Sequence, residues 1–334
     1  MITIILPVRN EAKYIRAVLD AVLTQTFPQD EIEILVADGM STDGTREIFK
    51  EFQQSHPQIK LLDNPGKIVP IGMNIALRQA RGEIVIRVDG HTEIAPNYVS
   101  NCVAALQRTG ADNVGGCMTP IGTTPFGKAV ATATSTPFGI GDSKFHYSTL
   151  EEVVDSVYMG AWNKEVFYKI GLFDEELVRN QDDEFNYRLR KFGGRIVLDP
   201  NIRSCYTTRS TPFSLWKQYY EYGLYKVRVL QKHPRQMSIR QFIPPLFVLG
   251  ILASLWLLFL YHWGWVLFVL ILGAYLVVNL VLSTHYSLRK NKKLMIELPL
   301  AYFIIHLSYG SGFLTGLFKF WNRWGDKKGL VPDE

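Results

Sequence analysis

The stretch Glu83-Ile84-Val85-Ile86-Arg87-Val88-Asp89-Gly90-His91 decides the fold. Four of its first six residues are β-branched, and such side chains favour a buried strand over residues 83–88. A carboxylate and an imidazole then stand two positions apart, at the carboxyl end of that strand. Because residues i and i+2 of an extended segment face the same way, Asp89 and His91 can bind one cation together.

The pattern around this strand predicts an α/β fold with a mostly parallel sheet. Strands are predicted at residues 2–8, 31–37, 59–62, 83–88 and 113–117, with helices at about 11–25, 41–54, 70–81 and 96–108. Such alternation is typical of βαβ units. Ligands bind outside the carboxyl ends of the strands in these sheets, where Glu11 and Asp38 also stand. Three strands are therefore predicted to bring polar side chains to one edge.

The second half of the predicted domain is less regular. Residues 119–149 are rich in Gly, Ser, Thr and Pro, which predicts a long, partly mobile connection. A strand at 153–159, a helix at 180–192 and a strand at 195–198 follow. We interpret residues 1–210 as one α/β domain, and residues 211–240 as a linker that contains an amphipathic helix over 214–232 at a membrane interface.

Residues 241–334 are predicted to form a membrane-embedded helical region. Segments of about 242–260 and 263–284 each approach the roughly 20 residues needed to cross a hydrocarbon core. Only Tyr261 and His262 separate them, so they form a hairpin. The cations that follow favour a cytoplasmic loop, which places the N-terminal domain on the cytoplasmic side of the cell (inner) membrane; these are Arg289, Lys290, Lys292 and Lys293.

The third apolar segment, about 294–320, leaves two alternatives open. It contains Glu297, Pro299 and His306, which suits a re-entrant or interfacial segment. It is also long enough for a third crossing. A crossing would put four cations outside, against the positive-inside tendency; they are Lys319, Arg323, Lys327 and Lys328.

Charge and cysteine usage exclude several classes of protein. The net charge of +5 divides into +1 for residues 1–240 and +4 for residues 241–334. Positive charge beside the apolar region suits contact with anionic membrane lipids and argues against nucleic acid as a partner. The three cysteines show no CxxC spacing, so we expect reduced thiols and neither a zinc site nor a disulfide framework; they are Cys102, Cys117 and Cys205.

Four motifs, in order, resemble those of the family 2 glycosyltransferases, which have the Rossmann-like GT-A fold. Residues 6–11 resemble the PxxNE motif, residues 36–45 the DGSTDGT stretch with Met40 inserted, residues 89–91 the DxD motif, and residues 180–184 the ED-type motif. Residues 64–70 and 87–91, with the membrane region, are similar to the bacterial succinoglycan-biosynthesis ExoA-like subgroup. The QxxRW signature of processive synthases is absent.

This resemblance implies a role for each matching residue. The nucleotide-sugar donor, most simply a UDP-sugar, would be bound by Pro7, Arg9, Glu11, Asp38, Lys67 and Asp89. A divalent metal would be held by Asp89 and His91, and an imidazole ligand favours Mn2+ over Mg2+. Asp182 is the candidate general base of an inverting displacement, with Asp183 as the second candidate because Gln181 replaces the usual acidic neighbour.

Three functions remain open from these residues. The first is non-processive transfer of a sugar to a lipid-linked saccharide in exopolysaccharide or glycan biosynthesis, with a polyprenyl-linked acceptor. The second is a polyprenyl-phosphate sugar synthase, whose ionised acceptor needs no general base. The third is a catalytically silent, membrane-tethered nucleotide-binding protein. A dinucleotide-dependent oxidoreductase is excluded because no GxGxxG follows the first strand.

Overall fold

The computed structural model describes residues 1–141, 143–261 and 263–326. His262, Lys327 and Lys328, which entered the predictions above, lie outside these ranges, as does the rest of the predicted region after residue 326. By their packing, the described residues divide into two units. The first contains residues 1–119 and 143–206, and the second contains residues 120–141 and 207–326 without His262.

The first unit is built on one mixed sheet. Its strands are β1 (Ile2–Val8), β2 (Ile32–Asp38), β3 (Ile59–Asp63), β4 (Ile84–Arg87), β5 (Thr92–Ile94), β6 (Asn113–Ile121), β7 (Glu152–Val153), β8 (Tyr158–Asn163) and β9 (Ile196–Thr207). Within the described residues the order is β3-β2-β1-β4-β8-β6-β9-β5, and β7 pairs with β9. The helices are α1 (Ile15–Leu23), α2 (Thr45–Ser55), α3 (Val69–Gln79) and α4 (Tyr98–Thr109).

Strands β1 to β4 form the parallel part of the sheet. β1 pairs in parallel with β2 and β4, and β2 pairs in parallel with β3. Val8 is opposite Asp38, so the carboxyl ends of β1 and β2 coincide. The predicted α/β class is confirmed, and the later strands join the parallel core in antiparallel pairs.

Both faces of the parallel strands are covered. Every residue of β1 and β2 is buried. Ile4 belongs to one hydrophobic cluster and its neighbour Ile5 to another, as expected when successive side chains point to opposite faces. A strand buried on both sides has no need of a polar face, which explains the continuous apolar runs in the sequence.

The region predicted as a long connection contains a strand end and two helices in its described residues, so the prediction of a plain connection was wrong. β6 continues to Ile121, and helices α5 (Pro125–Ala133) and α6 (Pro137–Ile140) follow. Each helix has a threonine N-cap: the side chains of Thr124 and Thr136 accept hydrogen bonds from backbone N–H groups of the first turn. Each helix also has a proline in its first turn, a position where the missing N–H costs nothing. The Gly, Ser, Thr and Pro content therefore reflects helix starts. The strand expected at 153–159 is displaced to β8.

The remaining helices of the first unit flank β8. They are α7 (Glu165–Ile170) and α8 (Gln181–Lys191). The helix predicted at 180–192 is confirmed in α8. The residue just before this helix, Asn180, has a left-handed backbone conformation. The strand predicted at 195–198 is the start of a longer one, β9.

The second unit is helical. It contains α5, α6, α9 (Pro212–Lys232), α10 (Ile243–Leu260), α11 (Gly264–Lys290) and α12 (Glu297–Lys319). In the described part of the chain, three helical stretches are long and apolar enough to cross a membrane: Ile239–Leu260, Gly264–Lys290 and Glu297–Lys319. The helix predicted at 214–232 is confirmed in α9. Several of its cationic side chains are buried, including Lys226, Arg228 and Lys232.

Candidate active site

The loop after β1 is fastened to the loop after β2. The backbone N–H of Asn10 donates to Ser41 Oγ at 2.8 Å, and the N–H of Thr42 donates to Asn10 Oδ1 at 2.9 Å. The N–H of Glu11 donates to Thr45 Oγ1 at 2.9 Å. The first two sequence motifs therefore form one structure at the carboxyl edge of the parallel strands.

Asp38 presents an unsatisfied buried acceptor at this edge. Its side chain is fully buried, and Oδ2 accepts from Arg46 Nη1 at 2.7 Å and from the N–H of Ser41 at 3.0 Å. Oδ1 has no hydrogen-bond partner among the described residues. A buried polar atom without a partner is costly, so Oδ1 is well placed to accept from a ligand.

Arg87 connects two carboxylates that are far apart in sequence. Its Nε donates to Asp89 Oδ1 at 2.7 Å, and its Nη1 donates to Asp182 Oδ1 at 2.5 Å. The Arg87 side chain is only 6% exposed, and those of Asp89 and Asp182 are 14% and 35% exposed. The pair with Asp89 is therefore largely buried, whereas the pair with Asp182 is partly open to solvent. One guanidinium therefore joins the DxD-like motif at the end of β4 to the first turn of α8.

The two carboxylates around Arg87 differ in acidity. Burial opposes ionisation of Asp89, but the charges of Arg87 and His91 outweigh it, so the pKa of Asp89 lies below its ordinary value. Burial raises the pKa of Asp182 above its ordinary value, although Arg87 acts in the opposite direction. Asp182 is thus the more basic carboxylate of the pair.

Asp89 and His91 are each oriented by a second partner. Tyr158 donates its hydroxyl hydrogen to Asp89 Oδ2 at 3.2 Å. Nδ1 of His91 lies 3.1 Å from Glu11 Oε1. The predicted donor-site residue Glu11 therefore contacts the predicted metal ligand His91.

Asp89 and His91 are the side chains at this edge that could hold a divalent cation. No group of three or more His, Cys, Asp or Glu side chains that could hold a metal occurs among the described residues. Asp89 and His91 offer two donors, and ions bound by one or two protein ligands complete their shells with phosphate oxygens and water. A carboxylate on the second ring nitrogen, as Glu11 provides, is typical of metal-bound histidine. These residue types would suit a cation whose other ligands come from a diphosphate and water.

The other predicted site residues lie in β1, in the loops after β1 and β3, and in α8. Pro7 lies in β1 opposite Ala37. Arg9 Nη1 is 3.5 Å from the carbonyl oxygen of Lys67, a residue in the left-handed region with φ of 63°. Asp183 lies beside Asp182 in the first turn of α8.

Sequence reasoning missed three residues of this site. Arg46 bridges Asp38 and Asp63, Arg87 bridges Asp89 and Asp182, and Tyr158 contacts Asp89. Arg87 carried a signal, because an arginine inside a β-branched buried strand requires a carboxylate partner. Nothing local in the sequence indicates Tyr158, since its partner lies 69 residues away.

Two relatives match nearly the whole chain. The succinoglycan biosynthesis protein ExoA of Rhizobium meliloti is 29% identical over 322 residues, which cover 96% of each chain. The dolichyl N-acetyl-alpha-D-glucosaminyl phosphate 3-beta-D-2,3-diacetamido-2,3-dideoxy-beta-D-glucuronosyltransferase of Methanococcus voltae is 28% identical over 330 residues, which cover 95% of this chain and 97% of its own.

Solved structures share the fold at lower identity. The mannosyltransferase PcManGT from Pyrobaculum calidifontis, in complex with GDP-Man and Mn2+, has a TM-score of 0.58 at 19% identity, covering 95% of this chain and 87% of its own. S. aureus TarS 1-349 with UDP has a TM-score of 0.51 at 17% identity, covering 94% and 90%. These likenesses confirm the GT-A-like fold.

The family model for glycosyl transferase family 2 matches residues 3–171, which span β1 to the end of α7. That range contains the parallel strands, the Asp38 edge and the Asp89–His91 site described above. The chain is a glycosyltransferase and belongs to glycosyl transferase family 2.

Proposed function

We propose that this glycosyltransferase is an inverting, metal-dependent, non-processive enzyme that moves a sugar from a nucleotide-sugar to a lipid-linked saccharide. The observation that supports this most directly is the Arg87 bridge. It holds Asp89, at the proposed donor site, and Asp182, the proposed base, within one ion network. An acceptor hydroxyl beside Asp182 would thus be close to the donor.

The proposed donor site lies at the carboxyl edge of β1, β2 and β4. Asp38 Oδ1, buried and without a partner among the described residues, would accept from the base or ribose of the nucleotide. Pro7, Arg9 and Glu11 would line the same site, and Lys67 would offset diphosphate charge. We propose a UDP-sugar as the donor; among the structural neighbours, TarS is a complex with UDP and PcManGT is a complex with GDP-Man.

Asp89 and His91 would hold the divalent metal together with the donor diphosphate. When bound, the metal supplies Lewis-acid stabilisation of the charge that grows on the leaving nucleotide. Mn2+ is favoured over Mg2+, because imidazole suits first-row transition metals better than it suits Mg2+. Glu11 would orient His91 through Nδ1.

Asp182 would act as the general base. It would take the proton of the acceptor hydroxyl as that oxygen forms its bond to the anomeric carbon and the bond to the nucleotide diphosphate breaks. Attack from the face opposite the leaving group inverts the configuration. The raised pKa of Asp182, caused by its burial, favours this role, because a more basic carboxylate accepts a proton more readily.

The acceptor and location are proposed from the second unit and the relatives. Three helices with membrane-crossing length and hydropathy suit an acceptor held on a membrane lipid. One relative is named for a dolichyl-phosphate-linked sugar and another for succinoglycan biosynthesis. We place the chain in the cell (inner) membrane with residues 1–210 on the cytoplasmic side, 211–240 as linker and 241–334 as membrane region.

The base assignment is tested by Asp182→Asn, with Asp183→Asn as the matched control one position away. We expect Asp182→Asn to lower kcat by about 10²–10⁴-fold, the usual contribution of positioned proton transfer. Donor affinity, measured by calorimetry with the nucleotide diphosphate and Mn2+, should change little. Asp183→Asn should retain most of its activity.

Other outcomes distinguish the alternatives. The reverse ranking would transfer the role of base to Asp183. Near-normal transfer by the double variant would indicate an acceptor that is already ionised, as in a polyprenyl-phosphate sugar synthase. Nucleotide binding without transfer or hydrolysis of any nucleotide-sugar by the unsubstituted chain would indicate a silent binding protein.

A further inference from the structure

The third apolar helix, α12, differs from α10 and α11 in what covers it. In its most apolar window, 56% of the residues are buried within the chain. The corresponding values are 17% for the stretch that contains α10 and 11% for α11. α10 and α11 therefore leave their apolar surfaces for lipid, whereas α12 packs most of its surface against protein.

α10 and α11 form an antiparallel hairpin whose register follows from two contacts. The ring of Phe247 stacks on that of Tyr275, with centroids 4.4 Å apart. Gly250 packs against Ile271, whose Cδ1 would lie 3.1 Å from a Cβ at that glycine. Moving three residues along α10 thus corresponds to moving four residues back along α11. Pro244 lies three residues before Phe247, so it is level with the residue three to four positions after Tyr275, which is residue 278 or 279 of α11.

Among the described residues, the contacts of α12 with this hairpin fall within a short length of it. Tyr275, one turn of α11 from Asn279, contacts Phe303 and His306. Asn279 Nδ2 donates to the carbonyl oxygen of Pro299 at 3.0 Å. Eleven residues later, Gly310 packs against the carbonyl group of Pro244, which is level with Asn279. A helix running alongside α11 would have moved about 16 Å along the hairpin over that distance. α12 therefore runs across the base of the hairpin.

A second helix accompanies α12 at close range. Gly312 packs against the carbonyl oxygen of Tyr220, and Gly316 packs against that of Leu224. Both steps are four residues, so α9 and α12 are parallel neighbours. Near their carboxyl ends, Gln231 Nε2 donates to the carbonyl oxygen of Phe320 at 2.7 Å. A membrane crossing by α12 would take α9 with it.

α9 is unsuited to hydrocarbon. Five of its 21 side chains are charged at neutral pH: Lys217, Glu221, Lys226, Arg228 and Lys232. Charged groups are costly within a bilayer even when they are paired. Helices α9 and α12 together are better suited to the membrane interface, where amphipathic helices lie with their apolar face buried at the boundary between headgroups and acyl chains.

We propose that α12 lies in the plane of the membrane interface beside α9, and that α10 and α11 are the two crossings made by the described helices. The surface that α9 and α12 together leave uncovered by protein, here called the α9–α12 surface, would contact the phospholipid headgroup layer. Large aromatic side chains are exposed at its ends, as interfacial anchors are; they are Phe213, Phe318, Trp321 and Trp324. This proposal does not depend on the donor, metal or base assignments.

The proposal is tested by two single substitutions in the full-length chain, Trp263→Cys and Trp324→Cys. These side chains are 79% and 54% exposed, at the tip of the hairpin and after α12. Each variant is treated with a membrane-impermeant maleimide in right-side-out spheroplasts and in inside-out vesicles. We expect the two positions to be labelled in opposite preparations. Labelling of both positions in the same preparation would show a third crossing and overturn the proposal.

Two controls make the experiment decisive. The unsubstituted chain measures background from Cys102, Cys117 and Cys205, and detergent-solubilised protein shows that each new cysteine reacts. A fluorescent protein fused to the carboxyl terminus provides an independent measurement, because it fluoresces only when it folds in the cytoplasm. We expect this fusion to fluoresce, and we expect a fusion to alkaline phosphatase at the same position to show no phosphatase activity. The opposite pair of results would refute two crossings.

Discussion

At the residue scale, Arg87 links the two carboxylates of the site that lie farthest apart in the sequence, Asp89 and Asp182. Its guanidinium pairs with two carboxylates, Asp89 and Asp182, that would otherwise repel each other. Removing one member of a buried ion pair is strongly destabilising, by about 3–5 kcal/mol, because the other charge remains. Arg87 is therefore a positioning residue, and its loss should affect both folding and the relation between the two carboxylates.

Replacing Arg87 tests this coupling through the pH dependence of catalysis. Arg87 holds down the pKa of Asp182. Arg87→Met removes that charge, so the pKa of Asp182 should rise further. Since the base must be ionised, activity is lost as pH falls through that pKa. We expect the acid limb of kcat/KM, which reports the free enzyme, to move to higher pH.

The control is Arg87→Lys, which keeps a cation but loses the forked pair of hydrogen bonds. Its acid limb should lie between those of the unsubstituted chain and Arg87→Met. A purely structural role would lower thermal stability and activity in both variants and leave the acid limb in place. That outcome would separate Arg87 from the chemistry.

At the element scale, local patterns predicted much and non-local contacts explain the rest. The β-branched runs at 2–8 and 83–88 placed β1 and β4 well, because a strand covered on both faces selects such residues along its own length. α5 escaped prediction because its proline and its threonine cap resemble loop composition. The bridge from Arg87 to Asp182 spans 95 residues, and no local pattern encodes such a contact.

Helix α9 packs on α12 at glycines of α12, so any larger residue at these positions should disturb the contact between the two helices. A methyl group at Gly312 would overlap the carbonyl oxygen of Tyr220, a backbone atom that cannot move alone. We expect Gly312→Ala to destabilise the protein by about 1–3 kcal/mol, the usual cost of overpacking. Thermal unfolding in detergent, followed by size-exclusion chromatography, measures the effect.

Gly273 provides the matched control within another apolar helix. A methyl group there would meet nothing within 4 Å. Gly273→Ala should leave the melting temperature unchanged or raise it slightly, because alanine favours helix over glycine. Equal melting temperatures for the two alanine variants would mean that α9 and α12 are not in close contact.

At the scale of the whole molecule, the chain order and the packing units differ. Residues 120–141 lie between strands of the sheet in sequence, yet they pack with the C-terminal helices. Phe126 and Val130 of α5 belong to the same hydrophobic cluster as Leu298 and Tyr302 of α12. A domain limit drawn after residue 210 by composition separates these partners.

Truncation after residue 210 tests this organisation. The shortened chain contains none of the three candidate membrane helices, so composition alone predicts a soluble domain. We expect it instead to aggregate without detergent, because loss of α12 exposes the apolar side of α5. Adding Phe126→Ser and Val130→Ser should make the shortened chain monomeric by size-exclusion chromatography with light scattering. The same substitutions in the full-length chain should lower its stability, since they remove side chains from a formed cluster. A monomeric, unsubstituted 1–210 chain would show that α5 does not need α12 to cover it.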